Sequence, residues 1–245
     1  MKKLKAEFIK MGHTFLFPVH LLVPIISCSV FLAWTRISAQ LQFSAYVQAI
    51  GAAFPVLASV ICAGSVDLEL PGHFQGMLMI PGKREGTLLA KLGALELMAF
   101  LAVMGAILLY GGGNWIFLKN REIPFSVFIQ TGVLLWLGSI PLYLEHLFLN
   151  LCFSKAVSLA FSIGQTLLSA LFLTGLGDGR WQYVPGSWSA RGASLYLAEK
   201  FQRRADLGRP LVSSGEILTC VLLGMILCAI IFLWFHFYEG RAQND

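Results

Sequence analysis

The chain has 245 residues, of which 57% are hydrophobic and only 13% are charged, and its formal net charge is +5. Typical soluble domains are about 45–50% apolar and about 25% charged. This composition excludes a disordered chain and argues against a water-soluble globule. It predicts a membrane protein with several helical spans, because roughly 20 apolar residues cross a bilayer as a helix.

The positive net charge does not indicate a nucleic-acid partner, because the basic residues do not alternate with aromatic residues along a stripe. Lys and Arg are common at the cytosolic face of membrane proteins, which is the simpler interpretation. The five cysteines lie in or beside apolar stretches without metal-ligand spacing. We interpret them as packing residues, and no metal site or catalytic residue is predicted.

Residues 1–14 predict an amphipathic helix that lies in the membrane interface. Leu4, Phe8, Met11 and Phe15 recur at spacings of three and four residues, which places them on one helical face. A frayed basic tail is the alternative interpretation of this segment.

Six apolar stretches follow, each long enough to cross a membrane as a helix. They cover residues 15–34, 44–66, 92–112, 125–147, 157–176 and 216–238. We therefore expect an all-α transmembrane domain of six helices over residues 1–245. Pro18 and Pro24 are expected to bend the first span, and His20 between them is interpreted as a packing residue.

An even number of spans places both chain ends on the same side of the membrane. If that side is the cytosol, the 18 Lys and Arg residues divide evenly between the two faces. The positive-inside tendency therefore does not decide the orientation. The basic cluster ahead of the first span favours a cytosolic N-terminus.

The polar break at residues 67–91 is the most informative segment. Met77 and Leu78 follow Phe74 by three and four residues, which places all three on one face of a short helix. One helical turn is unstable alone and needs another surface to pack against. Gly76–Glu85 imitates a phosphate-binding loop, but five residues separate its glycines and Arg84 replaces the Ser or Thr that would hold Mg²⁺. The chain is therefore predicted to have no nucleotide site of its own.

This pattern resembles the permeases of ABC-2 type ABC transporters. In those permeases an acidic residue, a coupling helix, a proline and a basic residue join the second and third spans. The residues that match are Glu69, Gly72, Leu78, Pro81, Arg84 and Lys91. Within that type, the stretches GHFQGMLMIPGKREGTLLAK and GLGDGRWQYVPGSW resemble the G-type (MutG-like) subunits of lantibiotic-immunity transporters.

The resemblance implies a permease subunit of the bacterial plasma membrane, with both termini in the cytoplasm, that expels lantibiotic-type peptides. Its implied partners are two copies of a separate ATPase, which bind ATP and Mg²⁺, and a related six-span permease. The residues expected to couple to the ATPase are Glu69, Gly72, His73, Phe74, Gln75, Met77, Leu78, Pro81, Arg84 and Lys91. The alternatives are an ABC-2 exporter of another drug or lipid, and a non-transporting membrane enzyme or scaffold.

Two further segments carry expectations. Glu96 and Glu145 lie near the ends of their spans, and Glu96 is expected to pair with Lys91 or Arg84, with transmission of the ATPase stroke as the alternative. Residues 177–214 form a long outer segment between spans five and six. It is expected to contain a helix from Ser189 to Arg204, with Leu197 and Phe201 dipping into the membrane surface while Arg203 and Arg204 stay in water. This segment would be either a gate for an arriving peptide or a loop that closes the bundle.

Overall fold

A computed structural model describes residues 2–34, 37–79, 84–117, 119, 122–201 and 211–240, and within these ranges it contains helices and turns but no strand. The helices, in chain order, are α1 (Lys2–Met11), α2 (Leu16–Ala33), α3 (Ala39–Asp67), α4 (Gln75–Leu78), α5 (Glu85–Ile116), α6 (Phe125–Cys152), α7 (Lys155–Phe172), α8 (Pro185–Phe201) and α9 (Ser214–His236). Short 3₁₀ turns lie at Leu70–Gly72, Gly175–Gly177 and Trp181–Tyr183.

Six of these helices, α2, α3, α5, α6, α7 and α9, are long and apolar enough to cross a membrane. The prediction of an all-helical chain with six helices of spanning length is therefore confirmed. The helices α3 and α5 are longer than their predicted spans, with 29 and 32 residues. Apolar runs mark only the part of a helix that is compatible with lipid, whereas the helical backbone continues through the polar residues at its ends.

The core lies where α3, α5 and α6 meet. The rings of Tyr46 and Tyr110 stack with centroids 4.6 Å apart, and the ring of Phe43 packs on Phe128 at 4.7 Å. The hydroxyl of Tyr110 donates to Oε1 of Gln42 over 2.9 Å. Aromatic rings therefore join the three helices near the end of the bundle that is remote from α1, and the tyrosine hydroxyls find hydrogen-bond partners inside the protein.

The helix α1 is well formed, so the interpretation of residues 1–14 as a frayed tail is wrong. Its apolar side packs on the bundle: Met11 is fully buried, and Leu4 and Phe8 pack against the core. Phe15, which was expected on the same face, is 49% exposed. The predicted amphipathic face is thus used largely against α5, and not only against a membrane surface.

The largest departure from expectation is α8, which is an internal helix. Ala190, Ala193 and Leu197 are fully buried, and α8 packs on α3, α6 and α7. The prediction that Leu197 dips into the membrane surface is wrong, Phe201 is half-buried, and Arg203 and Arg204 lie outside the described residues.

Small residues explain how α8 fits among three other helices. A Cβ atom at Gly51 of α3 would lie 2.5 Å from Cα of Ala190, and one at Gly138 of α6 would lie 2.6 Å from the backbone nitrogen of Ser189. Glycine at both positions lets the backbones approach closely, as in other membrane helix pairs. Ser189 also donates to the carbonyl of Leu135 over 3.0 Å.

The last helix, α9, buries little of its surface, and its buried residues are Ile231 and Phe235. At one end Nε1 of Trp181 donates to Oε1 of Glu216 over 3.1 Å. At the other end the rings of Phe148 and Trp234 pack edge to face, with centroids 4.7 Å apart. Contacts near its two ends thus hold α9 against the bundle.

Candidate functional site

The segment that joins α3 to α5 lies at the same end of the bundle as α1, the end of α6 and the end of α9. Nζ of Lys10 is 2.7 Å from Oε1 of Glu69. The rings of Phe74 and Tyr238 pack edge to face with centroids 6.1 Å apart, and the hydroxyl of Tyr238 donates to the carbonyl of Leu151 over 3.1 Å. We call residues 67–79 the coupling segment.

The coupling segment has an anchored side and an exposed side. Phe74 is 3% exposed and Met77 is 1% exposed, whereas Leu78 is half-buried. The expectation that these three residues share one apolar face agrees with their burial. Pro71, Gly72, His73, Gln75, Gly76 and Met79 are exposed on the other side. The segment therefore presents a firmly attached surface outside the bundle.

Two consecutive residues of this segment have left-handed backbone angles, with φ of 47° at His73 and 61° at Phe74. Residues with a side chain rarely adopt this conformation, and a bulky residue does so only when its surroundings hold it there. The buried Phe74 ring supplies that hold, together with a hydrogen bond from the Phe74 amide to the carbonyl of Glu69 at 3.0 Å. This turn directs the chain into α4.

A cluster of four charges, Glu7, Lys10, Glu69 and Lys91, connects the coupling segment to α1 and α5. Nζ of Lys91 lies 2.8 Å from Oε2 of Glu7 and 2.9 Å from Oε1 of Glu69, and the Lys91 side chain is 1% exposed. Nζ of Lys10 lies 2.8 Å from Oε1 of Glu7. Two lysines face two glutamates, so the cluster is neutral overall, as burial of charge requires. We call it the four-charge cluster.

The charges of the cluster perturb Lys10, which lies outside the spanning helices. Burial by itself lowers the pKa of Lys10. The hydrogen bonds that its ammonium donates to Glu69 and Glu7, and the negative charges of both, outweigh burial and raise the pKa overall. The ammonium is therefore held in its charged form at neutral pH.

Arg84, a further predicted coupling residue, and the first turn of α5 lie at the same end. Nη1 of Arg84 donates to the carbonyl of Tyr238 over 3.3 Å, and His236 lies 2.5 Å from Oε1 of Glu85. The hydroxyl of Thr87 is 2.9 Å from the carbonyl of Met77, which ties the first turn of α5 to α4. Pro81 lies outside the described residues.

Glu96 does not pair with Lys91 or Arg84, so that expectation is wrong. Nε1 of Trp136 donates to Oε2 of Glu96 over 3.0 Å, and Oε1 is buried without a hydrogen-bond partner among the described residues. Lys91 precedes Glu96 by five positions, which places the two side chains on different faces of α5. Lys91 instead faces the glutamates of α1 and the coupling segment.

Glu145 belongs to a separate buried network between α3, α6 and α7. Nε2 of Gln165 donates to Oε2 of Glu145 over 2.8 Å, which leaves Oε1 of Gln165 to accept from Nε2 of His146 over 3.2 Å. Nδ1 of a neutral His146 then accepts from the hydroxyl of Ser158 at 2.9 Å, and that oxygen lies 2.9 Å from the hydroxyl of Ser59. The geometry assigns one consistent direction to these hydrogen bonds, and the network joins three helices.

The sequence did not predict three residues that contribute to these sites. Glu7, Ser65 and Tyr238 all contact the four-charge cluster or the coupling segment. One available signal was Glu7, the acidic residue among the lysines of residues 1–14, whose charge is unusual for a basic interfacial helix. Tyr238 carried no signal, because its partners lie far away in the chain.

Within the described residues, no three His, Cys, Asp or Glu side chains come together in a way that could hold a metal ion, and all five cysteines are free. His20 fits the packing interpretation in part, because its Nδ1 lies 2.7 Å from the carbonyl of Leu16. It also lines an apolar cavity of about 170 Å³ among α2, α3 and α5.

Comparison with known proteins found no matching family model, no similar curated protein and no similar solved structure.

Proposed function

We propose that this chain is the transmembrane permease subunit of an ABC-2 type exporter that expels lantibiotic-type antimicrobial peptides from the bacterial plasma membrane and so gives immunity or resistance. The observation that carries the proposal is the coupling segment. It is anchored by Phe74 and Met77, and its other side is exposed at one end of the bundle. A separate ATPase needs a surface of this kind to move the helices of a permease.

The attachments of the coupling segment support a mechanical role. It is covalently continuous with α3 and α5, it contacts α1 through the four-charge cluster, and it contacts the end of α9 through Phe74 and Tyr238. A force applied to the exposed side is therefore distributed to four helices. Rigid-body tilting of helices is a common way to alternate between two states of a binding site.

The remaining parts of the proposal come from the resemblance. The ATPase, present in two copies, binds ATP and Mg²⁺, and a related six-span permease completes the membrane part. In this arrangement the coupling segment and both termini face the cytoplasm. The large apolar surfaces that α2, α7 and α9 leave exposed are compatible with lipid and with a second permease.

The first experiment tests the docking of the ATPase. We expect the full-length chain, purified from its native host, to bring down an ABC ATPase in stoichiometric amount. The double substitution Gln75→Arg and Met79→Asp should abolish this co-purification, because both side chains are exposed and neither contributes to the core. Ser126→Arg, at an exposed position at the start of α6 and the opposite end of the bundle, is the matched control and should leave it intact.

The outcomes separate the classes of function. If the native chain brings down no ATPase, the chain is a non-transporting enzyme or scaffold and the proposal is wrong. If an ATPase binds, sensitivity assays on a deletion strain identify the cargo. Increased sensitivity to a lantibiotic, without a change for an unrelated drug, supports peptide export, and the reverse result indicates an exporter of another drug or lipid.

Orientation is tested separately with Gln75→Cys in a background that lacks the native cysteines. We expect a membrane-impermeant thiol reagent to label this position only after the cells are opened. Labelling in intact cells would place the coupling segment on the outside and overturn the proposal.

A further inference from the structure

A cavity of about 600 Å³ lies between α6, α8 and α9, in the part of the bundle remote from the coupling segment. Ligand sites of small molecules commonly occupy roughly 300–1,000 Å³ and lie between the helices of bundles. Leu137 and Pro141 of α6, Trp188 and Tyr196 of α8, and Val221 of α9 contribute to its walls. Its α9 wall is formed by the first two turns of that helix.

Apart from Glu199, the walls of this cavity are almost entirely apolar, and the N–H and O–H donors of their aromatic residues already have hydrogen-bond partners. Nε1 of Trp188 donates to the carbonyl of Gln182 over 3.0 Å, and Nε1 of Trp181 donates to Glu216. The hydroxyl of Tyr196 donates to Gln130. The two indoles and the phenol therefore offer ring surface to a ligand, and no free donor.

The opening of the cavity carries one acidic group. Among the described residues that line the cavity, Glu199 bears a formal charge, and it is exposed. Lys200, the next residue, does not line the cavity, and its Nζ lies over the ring of Tyr196 at 5.5 Å from the centroid. An apolar chamber with a carboxylate at its opening is complementary to a molecule that has an apolar face and a nearby cationic group.

We propose that this cavity binds the apolar face of a cationic amphipathic peptide that enters from the membrane, with Glu199 as the partner of a cationic group of the peptide. This inference rests on the proposed function and assigns the cargo site within it. The tryptophan and tyrosine rings contact apolar side chains of the peptide. Binding takes place in the half of the bundle that is remote from the coupling segment, which is the outer half in the proposed orientation.

Gly192 provides a way to fill the cavity without disturbing the helix contacts. It lines the cavity, and a Cβ atom placed on it meets no atom within 4 Å. Gly192→Leu therefore adds side-chain volume where there is open space. Gly164 of α7 lies on an exposed face and its Cβ atom would also meet nothing within 4 Å, so Gly164→Leu is a matched control.

The test uses the full-length chain in nanodiscs of zwitterionic lipid and a short Leu/Lys amphipathic peptide that contains photoreactive leucine. After illumination, mass spectrometry locates the cross-links. We expect saturable labelling of Trp188, Tyr196 and Val221 that excess unlabelled peptide displaces. Gly192→Leu should reduce this labelling several-fold, and Gly164→Leu should leave it unchanged.

A second pair of measurements tests the role of the Glu199 charge and whether the cavity binds a peptide or a lipid. Glu199→Gln should weaken peptide binding by about two- to fivefold, the range for an exposed ion pair, without affecting the fold. A photoreactive phosphatidylglycerol, which carries no cationic group, should not be weakened by this substitution and should be displaced from the cavity by the peptide. If the phospholipid labels the cavity and the peptide does not displace it, the site is a lipid site and the inference is wrong.

Two other results would also overturn the inference: peptide cross-links spread evenly over the lipid-facing surfaces of α2 and α7, or equal cavity labelling in Gly192→Leu and the native chain. If Gly192→Leu does not fold, displacement of the photoreactive phospholipid by the peptide, measured on the native chain and on Glu199→Gln, still tests the inference. Since ATPase co-purification is measured separately, failure of cavity labelling leaves the proposed function standing.

Discussion

Lys91 of α5 and Glu7 of α1 are separated by 84 positions in the sequence, yet Nζ of one lies 2.8 Å from Oε2 of the other. Lys91 also reaches Glu69 and the backbone carbonyl of Ser65, so one buried ammonium contacts α1, α3 and the coupling segment. Removal of one partner from such a buried cluster leaves uncompensated charge, which costs far more than loss of a surface ion pair.

Lys91→Met should destabilise the protein by about 3–5 kcal/mol, because it leaves Glu7 and Glu69 with Lys10 as their remaining cation in the cluster. Lys155→Met is the control, since its ion pair with Asp67 is long, at 3.7 Å, and both side chains are exposed. The control should change stability by less than about 1 kcal/mol. Thermal unfolding in detergent measures both variants, and equal effects would contradict a structural role for the four-charge cluster.

The docking of α1 should weaken at high pH. The pKa of Lys10 is raised in the folded protein, so its contribution to stability is complete below about pH 10.4, the ordinary value in an unfolded chain. The contribution is lost as the pH rises through the higher folded value. Hydrogen exchange of α1 amides, corrected for the intrinsic rate, should therefore stay slow up to about pH 10 and accelerate above it. The effect should be absent in Lys10→Met, whose α1 should exchange faster at every pH.

The two glycines of the coupling segment should respond differently to alanine. A Cβ atom at Gly76 would lie 2.7 Å from Oε2 of Glu69, whereas one at Gly72 would meet nothing within 4 Å. Gly76→Ala should displace the Glu69 carboxylate and cost about 1.5–3 kcal/mol, the net value of a hydrogen bond between charged groups. Gly72→Ala should leave stability unchanged. Chemical denaturation measures the difference, and an equal loss in both variants would show that the contact with Glu69 is unimportant.

The position of α8 inside the bundle depends on glycine at two contacts. Gly138→Ala and Gly51→Ala should each cost about 1–3 kcal/mol, since the added methyl group forces α8 away from α6 or α3. Gly105→Ala, at a helical position where a Cβ atom meets nothing within 4 Å, is the control. It should stabilise the protein by about 0.5–1 kcal/mol through the better helix propensity of alanine. Stabilisation by Gly138→Ala would place α8 outside the bundle.

The helices of spanning length were predictable because length and hydropathy determine them almost alone. The apolar side of the coupling segment was predictable for a similar reason, since Phe74 and Met77 follow helical spacing. By contrast, the sequence of α8 is rich in Ser, Gly and Ala, a composition that suits both a polar surface and a closely packed helix. Its burial is decided by Gly51 and Gly138 on two other helices, which no local pattern reveals.

The ion pairs of the four-charge cluster were not predictable from proximity in the sequence. Glu96 and Lys91 are five residues apart, and proximity in the chain led to a pairing that helical geometry does not allow. The partners of Lys91 are Glu7 and Glu69. These pairs form only because α1 and the coupling segment pack against α5. No local pattern predicts this cluster, because its members come together only in the tertiary structure.

Because α9 buries little of its surface, it is easier to displace than the other helices of the bundle. Tyr238 links the end of this helix to Phe74 and to Leu151, while the first two turns of α9 line the large cavity. Displacing α9 disrupts few side-chain contacts, whereas displacing α3 or α6 requires the buried tyrosines and the glycine contacts of α8 to separate. α9, which borders the chamber, is therefore the helix that is easiest to displace. In the proposed transporter, movement of the coupling segment would change the width of this chamber before it deforms the centre of the bundle.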